Sequence, residues 1–136
     1  AEIYGVSIDC KTNKGPYFAC GMDKKLQNDI RLDIRNGKAL KECIEEIKPD
    51  FIFHLAAQSL VSKSYSDPHK TWETNLIGTK NVLEALLSYK KSCSVVIVTS
   101  DKCYKNIETH RPYSESDILD FFNLKKKKID YHWFNI

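Results

Sequence analysis

The sequence predicts an α/β protein built on a parallel sheet, and two observations carry this prediction. Short apolar or β-branched runs predict strands over residues 3–9, 30–34, 51–57 and 94–99. Between the later runs lie segments whose apolar residues recur at helical spacing. Strands and helices that alternate in this order are typical of right-handed parallel α/β units.

Two helices are predicted in the middle of the chain. In the first, Leu40, Cys43, Ile44 and Ile47 recur at helical spacing, and Pro49 closes the helix. The second begins at Asp67-Pro68, where Asp is a favourable N-cap and Pro suits the first helical position. A set of residues follows at steps of three and four, which predicts one long, one-sided helix: Trp72, Leu76, Thr79, Leu83, Leu86 and Leu87.

The strands over residues 51–57 and 94–99 are nearly continuous apolar runs. Strands of a parallel sheet are covered by helices on both sides, so we expect these two to be buried on both faces. By contrast, residues 10–28 contain Gly15, Pro16 and Gly21 and predict a loop with one helical turn.

Composition excludes several classes of protein. The chain has 136 residues, 42% of them hydrophobic and 29% charged, which is ordinary for one soluble globular domain. No apolar run approaches the roughly 20 residues of a membrane span, and the polar N-terminus predicts no signal peptide. The net charge is +3, but residues 125–128 supply four lysines, so the rest carries 3 − 4 = −1 and does not suit a nucleic-acid partner. The lysine run itself predicts a solvated tail.

The five cysteines are odd in number, and no pair has Cys-x-x-Cys spacing. This pattern predicts neither a metal site nor a disulfide framework, and it favours reduced thiols in the cytoplasm.

Candidate site residues stand where the predicted strands end, because ligands of open parallel sheets bind beyond the carboxyl ends of the strands. Asp9 could accept hydrogen bonds from a ribose diol, or it could cap local amides. Residues 54–58 end a strand in small side chains, which would let a ligand approach the backbone or would serve tight packing. His54 lies inside that strand and is expected to be a core histidine.

The segment Thr99 to Tyr104 is the most informative. Ser100, Asp101 and Lys102 place a hydroxyl, a carboxylate and an amine just past a buried strand. A hydroxyl can bond a sugar oxygen, a carboxylic acid can protonate a leaving hydroxide, and a desolvated lysine can remove a proton. The alternative is a polar turn with a solvated ion pair.

At this point the sequence resembles a known family. The stretch 53–61 (Phe-His-Leu-Ala-Ala-Gln-Ser-Leu-Val), Asp67-Pro68, Asn75 and the segment 78–85 resemble the middle of CDP-glucose 4,6-dehydratases, a branch of the extended short-chain dehydrogenases. The triplet Ser100-Asp101-Lys102 is similar to that branch, whereas most extended relatives carry Thr-Asp-Glu there. The resemblance covers about residues 3–117.

The resemblance implies an incomplete Rossmann-like, doubly wound parallel sheet that lacks the first strand and the C-terminal substrate domain. It implies NAD as cofactor and a cytoplasmic enzyme that is a homodimer when complete. Asp9 would hold the adenosine ribose, and Asp33-Ile34 would sit by the adenine. The remaining cofactor-binding residues implied are Ala56, Ala57 and Gln58 at the pyrophosphate and nicotinamide ribose, Asn75 in the active-site helix, and Thr99.

The resemblance also implies the reaction, in which CDP-glucose becomes CDP-4-keto-6-deoxyglucose. Ser100 would bond the oxygen on carbon 4, Asp101 would be the acid that expels water from carbon 6, and Lys102 would take the proton from carbon 5. NAD would take a hydride from carbon 4 and return it to carbon 6.

Two motifs of the family are missing from these 136 residues: the glycine-rich turn after the first strand and a later Tyr-x-x-x-Lys. Tyr113 is followed at that spacing by Asp117, and Tyr131 by Asn135. We therefore expect residues 1–117 to be a partial NAD-binding domain and residues 118–136 to be an aberrant or disordered basic tail. We also expect the chain alone to lack dehydratase activity and to bind NAD weakly.

Three alternatives stay open. The parent enzyme could resemble UDP-N-acetylglucosamine 4,6-dehydratases. The chain could bind a nucleotide or a partner without turnover. It could also fail to fold stably alone, because loss of the first strand would open the middle of the sheet.

Overall fold

The computed structural model describes residues 1–9, 15–99, 104–105, 107–108 and 110–118. The predicted catalytic residues Ser100, Asp101 and Lys102 lie outside these ranges. So does residue 119 onward, including the lysine run, and the predicted division at residue 117 therefore stays a prediction.

Four short strands alternate with helices. The strands are β1 (Tyr4–Ser7), β2 (Asn28–Arg31), β3 (Phe51–His54) and β4 (Ser94–Ile97). The helices are α1 (Pro16–Ala19), α2 (Gly37–Ile47), α3 (Val61–Ser66), α4 (Pro68–Trp72) and α5 (Gly78–Leu87), with a 3₁₀ turn at Met22–Lys24 and a π-helical turn at Glu73–Ile77. The strands are shorter than the predicted runs, but the alternation is confirmed.

Helix α2 ends before Pro49, as the sequence predicts, and side-chain and backbone contacts define both of its ends. The Asn36 side chain caps its start by accepting a hydrogen bond of 3.2 Å from the amide of Ala39. At its end Lys48 adopts a left-handed conformation with φ of 52°, and its amide bonds to the Ile44 carbonyl at 3.0 Å. The chain then leaves the helix before Pro49.

The second predicted helix is confirmed as one continuous helix from Pro68 to Leu87, but it is not α-helical throughout. Asp67 caps its start by accepting from the Lys70 amide at 3.0 Å. In the middle, the Gly78 amide donates to the Glu73 carbonyl, five residues back. This π turn joins α4 to α5, and the apolar spacing gave no sign of it.

The strands form two parallel pairs, β1 with β2 and β3 with β4. Within the described residues, no strand joins β1 to β3. A doubly wound sheet has the order 3-2-1-4-5-6, so its first strand lies between the second and the fourth. If the four strands are the second to fifth of such a sheet, as the family resemblance implies, the first strand would lie between the two pairs; this assignment stays a prediction.

The core lies on one side of the strands, where α2 packs against α5. Its buried cluster comprises Ile34, Leu40, Ile44, Val82 and Ala85. Ile52 of β3 packs against this cluster. We call this side of the β3–β4 pair the helix face.

The other side of this pair, which we call the open face, corrects a prediction. Phe51, Phe53 and Leu55 are 67%, 65% and 68% exposed, and Val96 and Val98 beside them are exposed as well. The expectation that both strands are buried on both faces is therefore wrong for this chain. Nothing within the described residues covers these side chains. We also find no helix in the described part that is long and apolar enough to cross a membrane.

Candidate functional site

The register of the two strand pairs brings predicted site residues together. Ser7 pairs with Arg31, and the ladder continues because the Leu32 amide donates to the Ser7 carbonyl at 3.0 Å. Continued by two residues, the same register would set Asp9 opposite Asp33. Both carboxylates thus follow neighbouring strands at the carboxyl edge of the pair.

The second pair shows the same arrangement. His54 pairs with Ile97, and the Val98 amide donates to the His54 carbonyl at 3.1 Å. Continued by two residues, this register sets Ala56 opposite Thr99. Both residues are exposed, and Thr99 is the last described residue before Ser100.

Asp33 is held as a carboxylate by Arg35. The Arg35 guanidinium donates to the two Asp33 oxygens at 2.7 to 3.1 Å, and the Arg35 amide donates to Oδ1 at 2.9 Å. These bonds and the positive charge lower the pKa of Asp33 despite its partial burial. Arg35 also reaches Glu73 of the π turn at 3.1 Å. Arg35 is not among the predicted site residues, although its spacing of two from Asp33 could have indicated the pair.

The loop after β3 is exposed at Ala56 and Ala57, whereas the side chain of Gln58 is hydrogen-bonded within the protein. Ala56 and Ala57 are exposed, so their backbone is accessible to a ligand. The Gln58 side chain turns into the loop, where it accepts from the Leu60 amide at 2.9 Å and donates to Thr71 Oγ1 at 3.2 Å. A role for Gln58 toward a cofactor stays a prediction, because the structure shows its polar groups bonded within the protein.

Asn75 holds this loop to the π turn. It is 1% exposed, its Oδ1 accepts from the Gln58 amide at 2.7 Å, and its Nδ2 donates to the Gln58 carbonyl at 3.1 Å. One side chain thus satisfies both backbone groups of a loop residue. Whether Asn75 also touches a cofactor stays a prediction.

His54 is a core histidine, as predicted. It is 6% exposed, and its Nε2 lies 2.9 Å from Thr79 Oγ1. The single Thr79 hydroxyl proton is donated to the Asn75 carbonyl at 2.6 Å, so Nε2 must carry the proton in the contact with His54. Burial lowers the pKa of His54, because water is excluded from the charged form. The imidazole is thereby a neutral donor that supports the helix behind Asn75.

Further along the chain, residues 110–118 are held by ionic contacts. Arg111 pairs with Asp117, which also accepts from the Ser114 amide at 2.7 Å. These contacts hold the pKa of Asp117 well below its usual range. Tyr104 stacks on Tyr113 with ring centroids 5.1 Å apart. Tyr113 is therefore packed against Tyr104.

Comparisons with known proteins agree on one family. A family model described as GDP-mannose 4,6 dehydratase matches residues 10–120. The CDP-glucose 4,6-dehydratase of Salmonella typhimurium is 36% identical over 117 residues, which are 86% of this chain and 32% of the relative. The CDP-paratose 2-epimerase of Salmonella typhi is 34% identical over 62% of this chain and 25% of its own length. The chain thus spans a third or less of the length of these relatives.

Solved structures match in fold. Pal from Bacillus thuringiensis has a TM-score of 0.72 at 26% identity and covers 87% of this chain and 37% of its own. A UDP-glucose-4-epimerase from Stenotrophomonas maltophila, solved with bound NAD and formylated UDP-arabinopyranose, has a TM-score of 0.69 at 21% identity and covers 87% and 35%. Because the family model matches most of the chain, this polypeptide belongs to the nucleotide-sugar epimerase and dehydratase family of extended short-chain dehydrogenases.

Proposed function

We propose that this chain forms part of the NAD-binding domain of a CDP-glucose 4,6-dehydratase. The similarity to the Salmonella typhimurium enzyme supports the substrate, since it extends over 86% of the chain. The family relation supports the cofactor. For the complete protein the proposal includes a homodimer.

The observation that carries the proposal is the register of the two strand pairs. It pairs Ser7 with Arg31 and His54 with Ile97. Continued by two residues, it would set Asp9 beside Asp33 at one pair and Ala56 beside Thr99 at the other. These are the positions at which the family resemblance places the two halves of the dinucleotide, and ligands of parallel sheets bind at this edge.

The residues present fit the adenosine half of NAD. Asp9 is exposed and can accept hydrogen bonds from both ribose hydroxyls. The lowered pKa of Asp33 keeps its carboxylate an acceptor, suited to an adenine amino group. Ala56 and Ala57 leave their backbone open on the side of the nicotinamide ribose. The 136 residues contain no glycine-rich turn, whose amides would hold the pyrophosphate.

The catalytic residues of the proposal follow directly on Thr99. Ser100 would bond the oxygen on carbon 4 of the glucose ring. Lys102 would take the proton from carbon 5, and Asp101 would protonate the hydroxyl that leaves carbon 6 as water. When bound, NAD supplies the temporary oxidation at carbon 4 that makes the carbon 5 proton acidic.

A chimera tests this proposal. Residues 3–117 would replace the aligned segment of the Salmonella typhimurium enzyme, which then supplies the remaining elements. We expect the chimera to convert CDP-glucose to the 4-keto-6-deoxy product and to leave UDP-N-acetylglucosamine unchanged, as followed by product chromatography. A folded chimera that turns over only UDP-N-acetylglucosamine would contradict the proposed substrate, and one that turns over neither would contradict the proposed activity.

A second candidate function is nucleotide binding without turnover by the 136-residue chain. This candidate applies to the 136 residues alone, in which Tyr-x-x-x-Lys does not occur. In this case the isolated chain binds an adenine nucleotide but forms no 4-keto-6-deoxy product above a control without protein.

A further inference from the structure

We infer that Asn81 is a positioning residue that fixes the loop at residues 33–37 for recognition of an adenine base. The inference rests on the proposed function, because that function places adenine at Asp33 and Ile34. It concerns a residue of helix α5 that lies outside the set of predicted ligand contacts.

Asn81 holds two successive carbonyls of this loop. Its Nδ2 donates to the Ile34 carbonyl at 2.9 Å and to the Arg35 carbonyl at 3.0 Å. Both hydrogens of the Asn81 side-chain amide therefore bond to this loop. Arg35 and Ile34 lie 46 and 47 residues before Asn81 in the sequence. This fixes the peptide planes that carry the Asp33–Arg35 turn.

Two glycines let the loop and the helix approach this closely. A Cβ on Gly37 would lie 3.0 Å from Asn81 Oδ1, so a larger residue would push the loop away from the amide. A Cβ on Gly78 would lie 2.4 Å from Ile34 Cδ1, so the Ile34 side chain rests on the bare backbone of α5. The result is a buried Ile34, 7% exposed, at the tip of a connection between a strand and a helix.

The π turn brings a third contact to the same side of the helix. Glu73 pairs with Arg35 at 3.1 Å, and Arg35 in turn holds Asp33. Five residues of α-helix would leave Glu73 and Gly78 about 140° apart around the axis. Because the Gly78 amide bonds to the Glu73 carbonyl, the π turn brings the two positions nearly into line. Glu73, Gly78 and Asn81 thus form one stripe that contacts Asp33–Gly37.

Ile34 belongs to the core cluster, so its contact with Gly78 serves packing, whereas the bonds from Asn81 and Glu73 fix the polar groups of the connection. Loops of this length usually run over the surface and tolerate variation. Here every residue from Ile34 to Gly37 is placed by a contact from the helix or from its own cap. A loop that recognises a flat base gains from such fixation, because each acceptor and each amide must be placed before the ligand arrives.

The test uses the full 136-residue chain with AMP and CMP as probes, followed by ¹⁵N NMR titration. Both probes carry ribose and phosphate, and only AMP carries adenine. We expect Asn81→Asp, whose carboxylate cannot donate to the two carbonyls, to weaken AMP binding at least fivefold and to leave CMP binding unchanged. Lys80→Gln changes the net charge by the same amount at an exposed neighbouring position, and it should leave both affinities unchanged. A general loss of stability would not change the AMP-to-CMP ratio.

A second measurement separates failure of this inference from failure of the proposed function. The amides of Arg35, Asn36 and Gly37 have internal acceptors, so their hydrogen exchange reports whether the loop is fixed. We expect about tenfold faster exchange at these three amides in Asn81→Asp and in Asn81→Ala, corresponding to the loss of one or two hydrogen bonds. Unchanged exchange, or an AMP-to-CMP ratio that stays as in wild type, would overturn the inference. A wild-type chain that binds no AMP would overturn the inferred adenine recognition and would leave the proposed function to the chimera, and the exchange rates would then decide only whether Asn81 fixes the loop.

Discussion

The two faces of the β3–β4 pair differ although they belong to the same eight residues. On the helix face, Ile52 packs against the core and His54 is 6% exposed. On the open face, Phe51 and Phe53 are 67% and 65% exposed. Alternate residues of a strand point to opposite sides, and both sides of this pair carry apolar side chains. The local sequence therefore cannot explain why only one side is buried. It depends on which side is covered by helices, and the described helices α2 and α5 form the core on one side only.

We expect the largest effect when another enzyme supplies the elements that would cover the open face. In the chimera described above, Lys102→Ala should lower dehydratase turnover about a hundredfold to ten-thousandfold, the usual loss for a positioned base. NAD content should stay near that of the unsubstituted chimera. Steady-state rates and bound-cofactor absorbance measure the two quantities.

The alternative interpretation of Lys102 predicts a different result. If Lys102 is a solvated lysine beside Asp101, the substitution changes the rate less than a few-fold. A near-parental rate in a folded chimera would remove Lys102 from the mechanism.

On the helix face, a core substitution should destabilise the chain strongly. Leu40 is 5% exposed in the cluster between α2 and α5. Leu40→Ala should lower the free energy of unfolding by about 2–5 kcal/mol, since it leaves a cavity and removes buried methyl groups. Urea unfolding followed by circular dichroism measures this loss. A loss below about 1 kcal/mol would mean that this helix pair is not the core of the chain.

The same face should make stability depend on pH through His54. Burial lowers the folded-state pKa of His54, so the unfolded chain binds the proton more readily. Stability is therefore fully present above the unfolded pKa of about 6.5 and falls as the pH drops below it, down to the folded pKa. The slope should not exceed about 1.4 kcal/mol per pH unit for one proton.

Urea unfolding at a series of pH values between 7 and 5 measures this slope. His54→Asn retains an amide donor for Thr79 but cannot titrate, so it serves as the matched control. An equal slope in this variant would assign the pH dependence to other groups.

On the open face, the smallest change in stability is expected. Phe53 is 65% exposed, so Phe53→Gln should change the free energy of unfolding by no more than about 0.5 kcal/mol. It should reduce the binding of a hydrophobic dye, since it removes apolar surface from the patch with Val96 and Val98. A loss of stability like that of Leu40→Ala would show that this face is covered in solution.

Much of the fold could be predicted from local sequence. The cap at Asp67-Pro68, the stop before Pro49 and the helical spacing of Leu40, Cys43 and Ile44 are signals carried by neighbouring residues, and the structure confirms both helices. Parallel strands were predicted from the order of elements, which also follows the chain. His54 was recognised as a core residue because it sits inside an apolar run.

The remainder depended on contacts between residues far apart in the chain. The expected proximity of Asp9 to Asp33 and of Ala56 to Thr99 depends on the strand register, whose last pairs are Ser7–Arg31 and His54–Ile97. The π turn and the hydrogen bonds from Asn81 to the loop at residues 33–37 could be seen only in the structure, where the helix packs against that loop. The burial of the strands was predicted wrongly, because an apolar run shows that a strand can be buried on both faces, whereas the helices around it decide whether it is. Sequence alone thus determined the elements and the candidate residues, and tertiary packing decided which of their faces and side chains are covered.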